Sequence, residues 1–334
     1  MKTVRLVDST LRDGMHAVSH QLTADQMAAI AQKLDEAGVG TIEIGQGDGI
    51  GGSSRQYGFA RESDEAYFKA VSKAVKNGKW CVLLIPGIGT IEDLKVALEY
   101  NVGTVRVATH VTEADVSEQH IKFAKQAGIE AIGFLMMSHM APVETVVEQA
   151  KLMAGYGADI VYVTDSAGAM TPDEVKARIS AVKNAVNLPI GFHAHNNLGL
   201  AIGNTLAALE EGASLVDGTI RGLGAGAGNA QLEVLTAVLD KLGYQTGVDF
   251  YKLMDLGQEL IDPIMHRPQI ISNDALAIGY AGAYGSFLLH ARRAAERFGV
   301  DARDILLEMG NRKAVGGQED LIIDVAIDLS RKQK

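Results

Sequence analysis

The 334-residue sequence contains a single cysteine, Cys81, so no intrachain disulfide can form. Cys81 lies inside the apolar run 80–85 and is expected to be a buried thiol. The N-terminus lacks a basic start followed by an apolar stretch of signal-peptide length, and no later apolar run is long enough to span a membrane. The sequence therefore predicts a cytoplasmic protein.

Positive charge is also scarce. Lys and Arg number 31 against 41 Asp and Glu, which gives a formal net charge of −10 at pH 7. This balance disfavours a nucleic-acid groove or an anionic membrane surface as the main partner. Hydrophobic residues make up 47% and charged residues 22% of the chain, so disorder and collagen-like repeats are poor fits. The composition favours a folded protein that acts on small molecules.

Short β-rich runs recur along the first 245 residues, and each is followed by an amphipathic segment of helical period. The runs lie near residues 4–8, 41–45, 80–85, 104–108, 130–136, 159–163, 189–193 and 214–218. Capping boxes over residues 23–26 and 171–174 mark two helix starts, the second with a proline at the first helical position. Eight βα units predict an α/β fold, a closed (β/α)8 TIM barrel.

The regular alternation stops after residue 245. Residues 250–330 are predicted to be mostly helical, including 275–298, where small residues such as Gly279 and Gly282 favour tight helix packing. No low-complexity linker separates the two parts, so the helical part is expected to pack on the barrel. We therefore predict a TIM-barrel catalytic domain over residues 1–248 and a C-terminal helical subdomain over residues 249–334.

The first predicted strand leads into a polar segment over residues 8–16. Active sites of such barrels lie at the C-terminal ends of the strands, so polar residues there are candidates for chemistry. The segment places Arg12, Asp13 and His16 beside Gly14, which permits a tight turn. A charged surface loop capped by Asp8 is an equally open interpretation of this segment alone.

The seventh predicted strand contributes His193 and His195. Residues two apart on a strand share a face, and imidazole nitrogens bind a metal at about 2.0–2.1 Å, so both rings can reach one ion. A lone buried histidine is usually a hydrogen-bonded core residue, but two on one face at the catalytic end favour a metal site. With Asp13 they form a two-His, one-carboxylate set that suits Mn²⁺, Co²⁺, Fe²⁺ or Zn²⁺ better than Ca²⁺.

Two glycine-rich segments, 45–54 and 222–229, follow the second and eighth predicted strands. Neither contains the Gly-Lys-Ser/Thr of a Walker loop, and for 222–229 a tight wall around a small ligand is favoured over a phosphate cradle. Asp165 and Ser166, at the end of the sixth strand, are interpreted either as a substrate contact or as a simple turn.

The motifs DSTLRDG at 8–14 and HAHNN at 193–197 resemble the metal-dependent superfamily of pyruvate-type aldolases, 3-hydroxy-3-methylglutaryl-CoA lyase and isopropylmalate synthase. Further segments narrow the resemblance to the 4-hydroxy-2-oxovalerate aldolase family of class II pyruvate aldolases. They are 47–54, 84–90, 133–140, 222–229, 279–284 and 316–320, so the resemblance covers essentially the whole chain.

The resemblance implies retro-aldol cleavage of 4-hydroxy-2-oxovalerate, or of longer 4-hydroxy-2-oxo acids, to pyruvate and an aldehyde in aromatic catabolism. It implies Asp13, His193 and His195 as ligands of a divalent metal, commonly Mn²⁺, with Co²⁺ and Mg²⁺ as other candidates. Chelation of the 2-oxo acid by this metal would stabilise the pyruvate enolate left by bond cleavage.

The resemblance also implies roles for the neighbouring side chains. Arg12 matches a residue that stabilises the enolate, and His16 matches the base that takes the proton of the C4 hydroxyl. Tyr284 matches a residue that positions this hydroxyl and influences stereochemistry. The expected substrate contacts are Arg12, Ser166, His193 and Tyr284.

Members of this family typically pair with an acylating acetaldehyde dehydrogenase, which receives the aldehyde through a channel. The resemblance therefore implies such a partner, contacted by the C-terminal subdomain, which would also cover the active site; a homodimer is expected as well. One position departs from the family pattern: Gln46 stands where the family usually has His. We expect this change to affect loop chemistry or substrate range and not the reaction class.

Three other interpretations compete. A Schiff-base aldolase needs a lysine inside the barrel near the strand ends, whereas Lys79 precedes the third strand and the other lysines lie in predicted helices, loops or termini. A CoA-dependent Claisen-type synthase or lyase shares the metal ligands and is the serious alternative, although loop 222–229 lacks the cysteine typical of the lyase branch. A scaffold subunit with a relic metal site would have no need of Arg12, His16 and Tyr284.

Overall fold

The protein is described by a computed structural model covering residues 2–332. Eight parallel strands close into a barrel in chain order. They are β1 (Arg5–Leu11), β2 (Thr41–Ile44), β3 (Lys79–Leu84), β4 (Thr104–His110), β5 (Glu130–Met136), β6 (Ile160–Asp165), β7 (Ile190–Ala194) and β8 (Leu215–Gly218). β8 closes the barrel by pairing with β1, with Arg5 opposite Leu215 and Asp8 opposite Gly218. The predicted (β/α)8 barrel is confirmed.

Helices surround the barrel and connect successive strands. They are α1 (Ala24–Glu36), α2 (Asp64–Ala74), α3 (Ile91–Glu99), α4 (Glu118–Gln126), α5 (Val143–Tyr156), α6 (Pro172–Ala185), α7 (Ala201–Glu210) and α8 (Leu232–Lys241). Both predicted capping boxes are present, Thr23 with Gln26 at α1 and Thr171 with Glu174 at α6. Local sequence chemistry thus fixes where these two helices begin.

Strand residues alternate between two environments. Val105 and Val107 of β4 join the core between strands and helices, whereas Ala108 joins a separate buried cluster with Phe134 and Tyr162. Cys81 of β3 is fully buried, as predicted. This alternation places every second side chain of a strand inside the barrel, where catalytic groups can be held rigidly.

The C-terminal part begins on the barrel and then builds a core of its own. Short strands Lys2–Thr3 and Tyr244–Gln245 pair outside the barrel, and α9 (Phe250–Leu256) buries Leu253 and Leu256 in the barrel core. A second core around Phe287 is formed by four helices. They are α10 (Asn273–Ala281), α11 (Phe287–Phe298), α12 (Ala302–Asn311) and α13 (Leu321–Lys332).

The helical stretch expected over residues 275–298 is interrupted. α10 ends at Ala281 because Gly282 adopts the left-handed conformation, with a φ of +62°, and α11 begins only at Phe287. The helical character of this region is confirmed, while the boundary between residues 248 and 249 stays a prediction. Within the described residues, every helix is too short or too polar to cross a membrane.

Candidate metal centre and active site

β1 extends further than predicted and carries Asp8 and Thr10 into the protein interior. Asp8 accepts hydrogen bonds from the backbone N–H and the hydroxyl of Thr10 at 2.9 and 2.7 Å. The same hydroxyl accepts the backbone N–H of Ile220 at 2.8 Å, which ties β1 to the segment after β8. Arg12 and Asp13 follow the strand and are only 5% and 3% exposed. The interpretation of this segment as a charged surface loop is therefore wrong.

Asp13, His193 and His195 bring three ligand atoms together. Oδ2 of Asp13 lies 3.4 Å from Nε2 of His193 and 3.4 Å from Nε2 of His195, and all three side chains are buried. Ligand atoms that each lie about 2.0–2.2 Å from one ion stand roughly 3–3.5 Å apart. The donor set and its spacing therefore fit a divalent metal ion.

Charges beside this set hold Asp13 in its ionised form. Burial would raise the pKa of Asp13, but the guanidinium of Arg12 and the ring of His195 hold it well below its usual value. Nη1 of Arg12 lies 3.1 Å from Oδ2 of Asp13, and Nε donates to Oε2 of Glu43 at 2.9 Å. Arg12 is thereby fixed between two carboxylates beside the candidate metal site.

Asp217 of β8 orients His193. Nδ1 of His193 lies 2.8 Å from Oδ2 of Asp217, an arrangement that favours the tautomer with its proton on Nδ1 and turns Nε2 toward Asp13. Burial opposes ionisation of Asp217, but Arg106 and His193 outweigh it and lower its pKa to about 2. Burial would lower the pKa of His193, whereas hydrogen bonds to Asp13 and Asp217 raise it to about 8.

Arg106 of β4 completes a network of buried charges. Its guanidinium carbon lies 4.6 Å from the ring centre of Tyr162 and 5.1 Å from that of Phe134, where cation–π attraction adds to the ion pairs. Nη1 also lies 3.4 Å from Oε2 of Glu43 and donates to Asp217 at 2.7 Å. Arg106 thus connects the carboxylate that holds Arg12 with the one that holds His193.

Glu43, Arg106 and Asp217 were missed by sequence reasoning. Each is a charged residue in the middle of an otherwise apolar or small-residue strand, and each is buried. A charge in such a strand needs a partner inside the fold, because burying it alone is costly. A charged residue in the middle of an apolar strand was therefore the sequence signal that could have identified these three residues.

His16 ends the short 3-10 turn Asp13–His16 and is half-buried. Its ring meets that of His20 edge-on, with centroids 5.0 Å apart and planes at 73°. Nη1 of Arg12 donates to the carbonyl of Gly47 at 3.3 Å, so the loop after β2 lies over this turn. From the other side, the backbone N–H of Ala225 lies 3.4 Å from Oδ1 of Asp13. The two glycine-rich loops therefore border the candidate site.

The structure gives Asp165 and Ser166 local hydrogen-bond partners. The carboxylate of Asp165 accepts the backbone N–H groups of Ala169 and Met170 at 2.8 and 3.1 Å, which builds the turn after β6. The hydroxyl of Ser166 accepts the backbone N–H of Met137 at 3.0 Å. A substrate contact by Ser166 stays a prediction.

Tyr284 lies in the turn between α10 and α11. Its ring stacks on that of His110, the last residue of β4, with centroids 6.4 Å apart. Nε2 of His139, after β5, lies 3.0 Å from the carbonyl oxygen of Gly282 in the same turn. Burial raises the pKa of the Tyr284 phenol, which therefore stays protonated. The C-terminal helices thus reach the barrel end that carries the candidate site.

Residues 3–260 match the HMGL-like family, and residues 269–331 match the DmpG-like communication domain. HMG-CoA lyase from Brucella melitensis has the same fold, with a TM-score of 0.69 at 19% identity over 80% of this chain and 100% of that chain. A divalent metal fits both the HMGL-like family and the donor set of Asp13, His193 and His195.

Relatives define the family more closely. The 4-hydroxy-2-oxovalerate aldolase of Carboxydothermus hydrogenoformans is 67% identical over 333 residues, covering 100% of this chain and 99% of the relative. That of Moorella thermoacetica is 62% identical, covering 99% of this chain and 98% of the relative. The chain therefore belongs to the 4-hydroxy-2-oxovalerate aldolase family, as its motifs predicted.

Proposed function

We propose that this chain is a divalent-metal-dependent carbon–carbon lyase that cleaves 4-hydroxy-2-oxovalerate, or a longer 4-hydroxy-2-oxo acid, to pyruvate and an aldehyde. The observation that carries this proposal is the joint presence of Arg12, His16 and the Asp13, His193 and His195 donor set at one end of the barrel. The full-length relatives named 4-hydroxy-2-oxovalerate aldolase support this assignment of the substrate. They do not favour a CoA-dependent Claisen enzyme.

Asp13, His193 and His195 are the proposed metal ligands, and Mn²⁺ is the proposed ion. When bound, such an ion supplies Lewis-acid stabilisation of negative charge on a 2-oxo acid. Arg12 adds a fixed positive charge for the enolate oxygen, because Glu43 holds its Nε at 2.9 Å and prevents the guanidinium from turning away. Ser166 and His193 complete the proposed substrate contacts with Arg12 and Tyr284.

His16 is the proposed base. It takes the proton of the C4 hydroxyl while the oxygen lone pair forms the aldehyde carbonyl, and the electrons of the C3–C4 bond pass into the 2-oxo group as the pyruvate enolate. Within residues 2–332 the His16 ring contacts the His20 ring and makes no hydrogen bond that would compete with a substrate for its proton-accepting nitrogen. Tyr284 is the proposed group that orients the hydroxyl toward His16.

A partner is proposed from the communication domain. The match over residues 269–331 supports an acylating acetaldehyde dehydrogenase that receives the aldehyde. Tyr280 and Ile270, 77% and 57% exposed, offer apolar surface on this part of the chain. Co-purification with a dehydrogenase of this type, compared with a Tyr280→Ser/Ile270→Ser variant, tests the contact. Homodimer formation, the cytoplasmic location and the domain boundary stay predictions.

The activity is tested by removing and restoring the metal. The purified protein is stripped with chelator, supplied with 4-hydroxy-2-oxovalerate and followed for pyruvate before and after Mn²⁺ is added back. We expect pyruvate release only after metal is restored. Rates of pyruvate release measured with Mn²⁺, Co²⁺ and Mg²⁺ at equal free concentration show which ion supports the reaction best. A chain that releases no pyruvate with any of these metals contradicts the proposal.

A further inference from the structure

Two buried residues that the proposed reaction does not use, Gln46 and His20, link the loop after β2 to His16. We propose that Gln46 and His20 are positioning residues, which hold the His16 ring at the angle and distance that proton transfer from the substrate requires. This inference rests on the proposed function, in which His16 is the base. It also gives a role to Gln46, for which the proposed reaction has none.

The Gln46 side chain forms hydrogen bonds to both ends of the loop that follows β2. The side chain is fully buried. Its Oε1 accepts the backbone N–H of Asp48 at 2.6 Å, and its Nε2 donates to the carbonyl oxygens of Tyr57 and Gly58, each at 3.3 Å. A primary amide can accept and donate at the same time, which a carboxylate cannot. Gln46 therefore determines where residues 47–58 lie.

His20 is hydrogen-bonded to the same loop through its ring. Nδ1 accepts the backbone N–H of Gly47 at 3.3 Å. Burial, together with the nearby His16, lowers the pKa of His20 to about 4, so the ring is neutral at physiological pH. The side chains of His16, His20 and Asp48 lie close together, and Nδ1 of His20 is already engaged by Gly47.

Gly47 packs against His16, so the position of the loop determines the position of the His16 ring. A Cβ atom on Gly47 would come within 2.5 Å of Nε2 of His16 and 2.7 Å of Cε1 of His20, so the bare backbone packs against both rings. The His20 ring then supports His16 edge-on at 5.0 Å. A shift of the loop or loss of the His20 ring leaves His16 free to rotate.

The expected consequence is a defect in the chemical step. Misplacing a reacting group by about 1 Å can cost on the order of 10²-fold in rate. Neither Gln46 nor His20 belongs to the donor set of Asp13, His193 and His195, so metal binding should be unaffected. We therefore expect kcat to fall while KM and metal affinity stay unchanged.

The first test replaces His20 by Asn. Asn tolerates the φ of +60° at this position, and its Oδ1 can replace Nδ1 as acceptor for Gly47, so the change removes mainly the ring. In His20→Asn we expect kcat to fall roughly 10- to 100-fold, with KM and Mn²⁺ affinity within about twofold of the wild-type values. Ser19→Asn is the matched control, because Ser19 is exposed and has a φ of +54°.

The second test uses two substitutions of Gln46. Gln46→Glu keeps an acceptor for Asp48 but sets a carboxylate against the carbonyls of Tyr57 and Gly58, so kcat should fall as in His20→Asn. Gln46→His retains a donor and an acceptor and should keep most of the wild-type kcat. In the double variant His20→Asn/Gln46→Glu, the loss should be smaller than the product of the single losses, because both act through His16.

The outcomes separate the two proposals. A wild-type chain without metal-dependent cleavage overturns the proposed function. An active wild type with an equally active His20→Asn variant overturns only the positioning role. A fall in kcat accompanied by lost Mn²⁺ binding or a lowered melting temperature also overturns it, since His20 would then be merely structural.

Discussion

The carboxylate of Asp217 pairs with the guanidinium of Arg106 through two hydrogen bonds, at 2.7 and 2.8 Å, inside the barrel. The same carboxylate lies 2.8 Å from Nδ1 of His193. Arg106 fixes the carboxylate by a planar two-point contact, and the carboxylate fixes the imidazole. The orientation of a candidate metal ligand on β7 therefore depends on a cation on β4, across the barrel interior.

Asp217→Asn should weaken metal binding and destabilise the fold. The substitution removes the charge that pairs with Arg106 and orients His193, so we expect Mn²⁺ affinity to fall about 10- to 100-fold. The unfolding free energy should fall by about 3–5 kcal/mol, because the buried Arg106 loses its principal counter-charge. Metal titration and urea unfolding measure the two effects. Glu118→Gln, which breaks an exposed ion pair with Lys122, is the control, and unaltered Mn²⁺ affinity in Asp217→Asn would refute this role.

His16→Ala should abolish most cleavage without loss of the metal. General-base catalysis contributes roughly 10²- to 10⁴-fold, and kcat should fall within that range. Mn²⁺ affinity should match the wild type, because His16 lies outside the donor set formed by Asp13, His193 and His195. Steady-state pyruvate release and metal titration on the same preparation test this pair of expectations. A variant that cleaves at the full rate removes His16 from the mechanism.

Arg12→Lys should impair catalysis although it keeps the charge. The guanidinium contacts Glu43 through Nε and both Asp13 and Gly47 through Nη1, which one ammonium group cannot reproduce. We expect kcat to fall about 10²- to 10³-fold, as when a fixed donor to developing negative charge is removed. Kinetics with saturating Mn²⁺ measure the loss. Near-normal kcat would show that charge alone suffices.

The grouping of Asp13, His193 and His195 as a candidate donor set was predictable from the sequence because its signals are local. His193 lies on β7 and His195 directly follows its C-terminal end, while Asp13 follows the end of β1. Thr23 and Thr171 marked helix starts for the same reason. Arg106 and Asp217 are separated by 111 residues, and only barrel closure brings them together. Tyr284 depends on a helix break at Gly282, which small-residue content alone did not reveal.

Tyr284→Phe should reduce discrimination between the two C4 stereoisomers of the substrate. The ring would still stack on His110, so the turn should keep its place, but the hydroxyl proposed to orient the substrate is lost. We expect the ratio of kcat/KM for the two isomers to fall roughly tenfold, because a tenfold change corresponds to the free energy of about one hydrogen bond. Tyr280→Phe is the matched control, because Tyr280 is 77% exposed. An unchanged ratio in Tyr284→Phe would exclude the hydroxyl from stereocontrol.

The buried carboxyl of Asp8 should make stability depend on pH. Burial raises its pKa from 3.8 to about 7, against the opposing effect of the hydrogen bonds from Thr10. Since the folded-state pKa lies above the unfolded value, the stabilisation is fully present below about pH 4 and is lost as the pH rises through about 7.

Asp8→Asn removes this titration while retaining a polar side chain of the same size. Between about pH 5 and pH 8, we expect the wild type to lose roughly 2–3 kcal/mol of unfolding free energy relative to the variant. Urea unfolding of chelator-treated protein at several pH values measures the difference, and the exposed Asp240→Asn controls for the loss of one carboxylate. Parallel curves for wild type and Asp8→Asn would mean that Asp8 is ionised in the folded protein throughout this range. The hydrogen bonds from Thr10 would then outweigh the cost of burial.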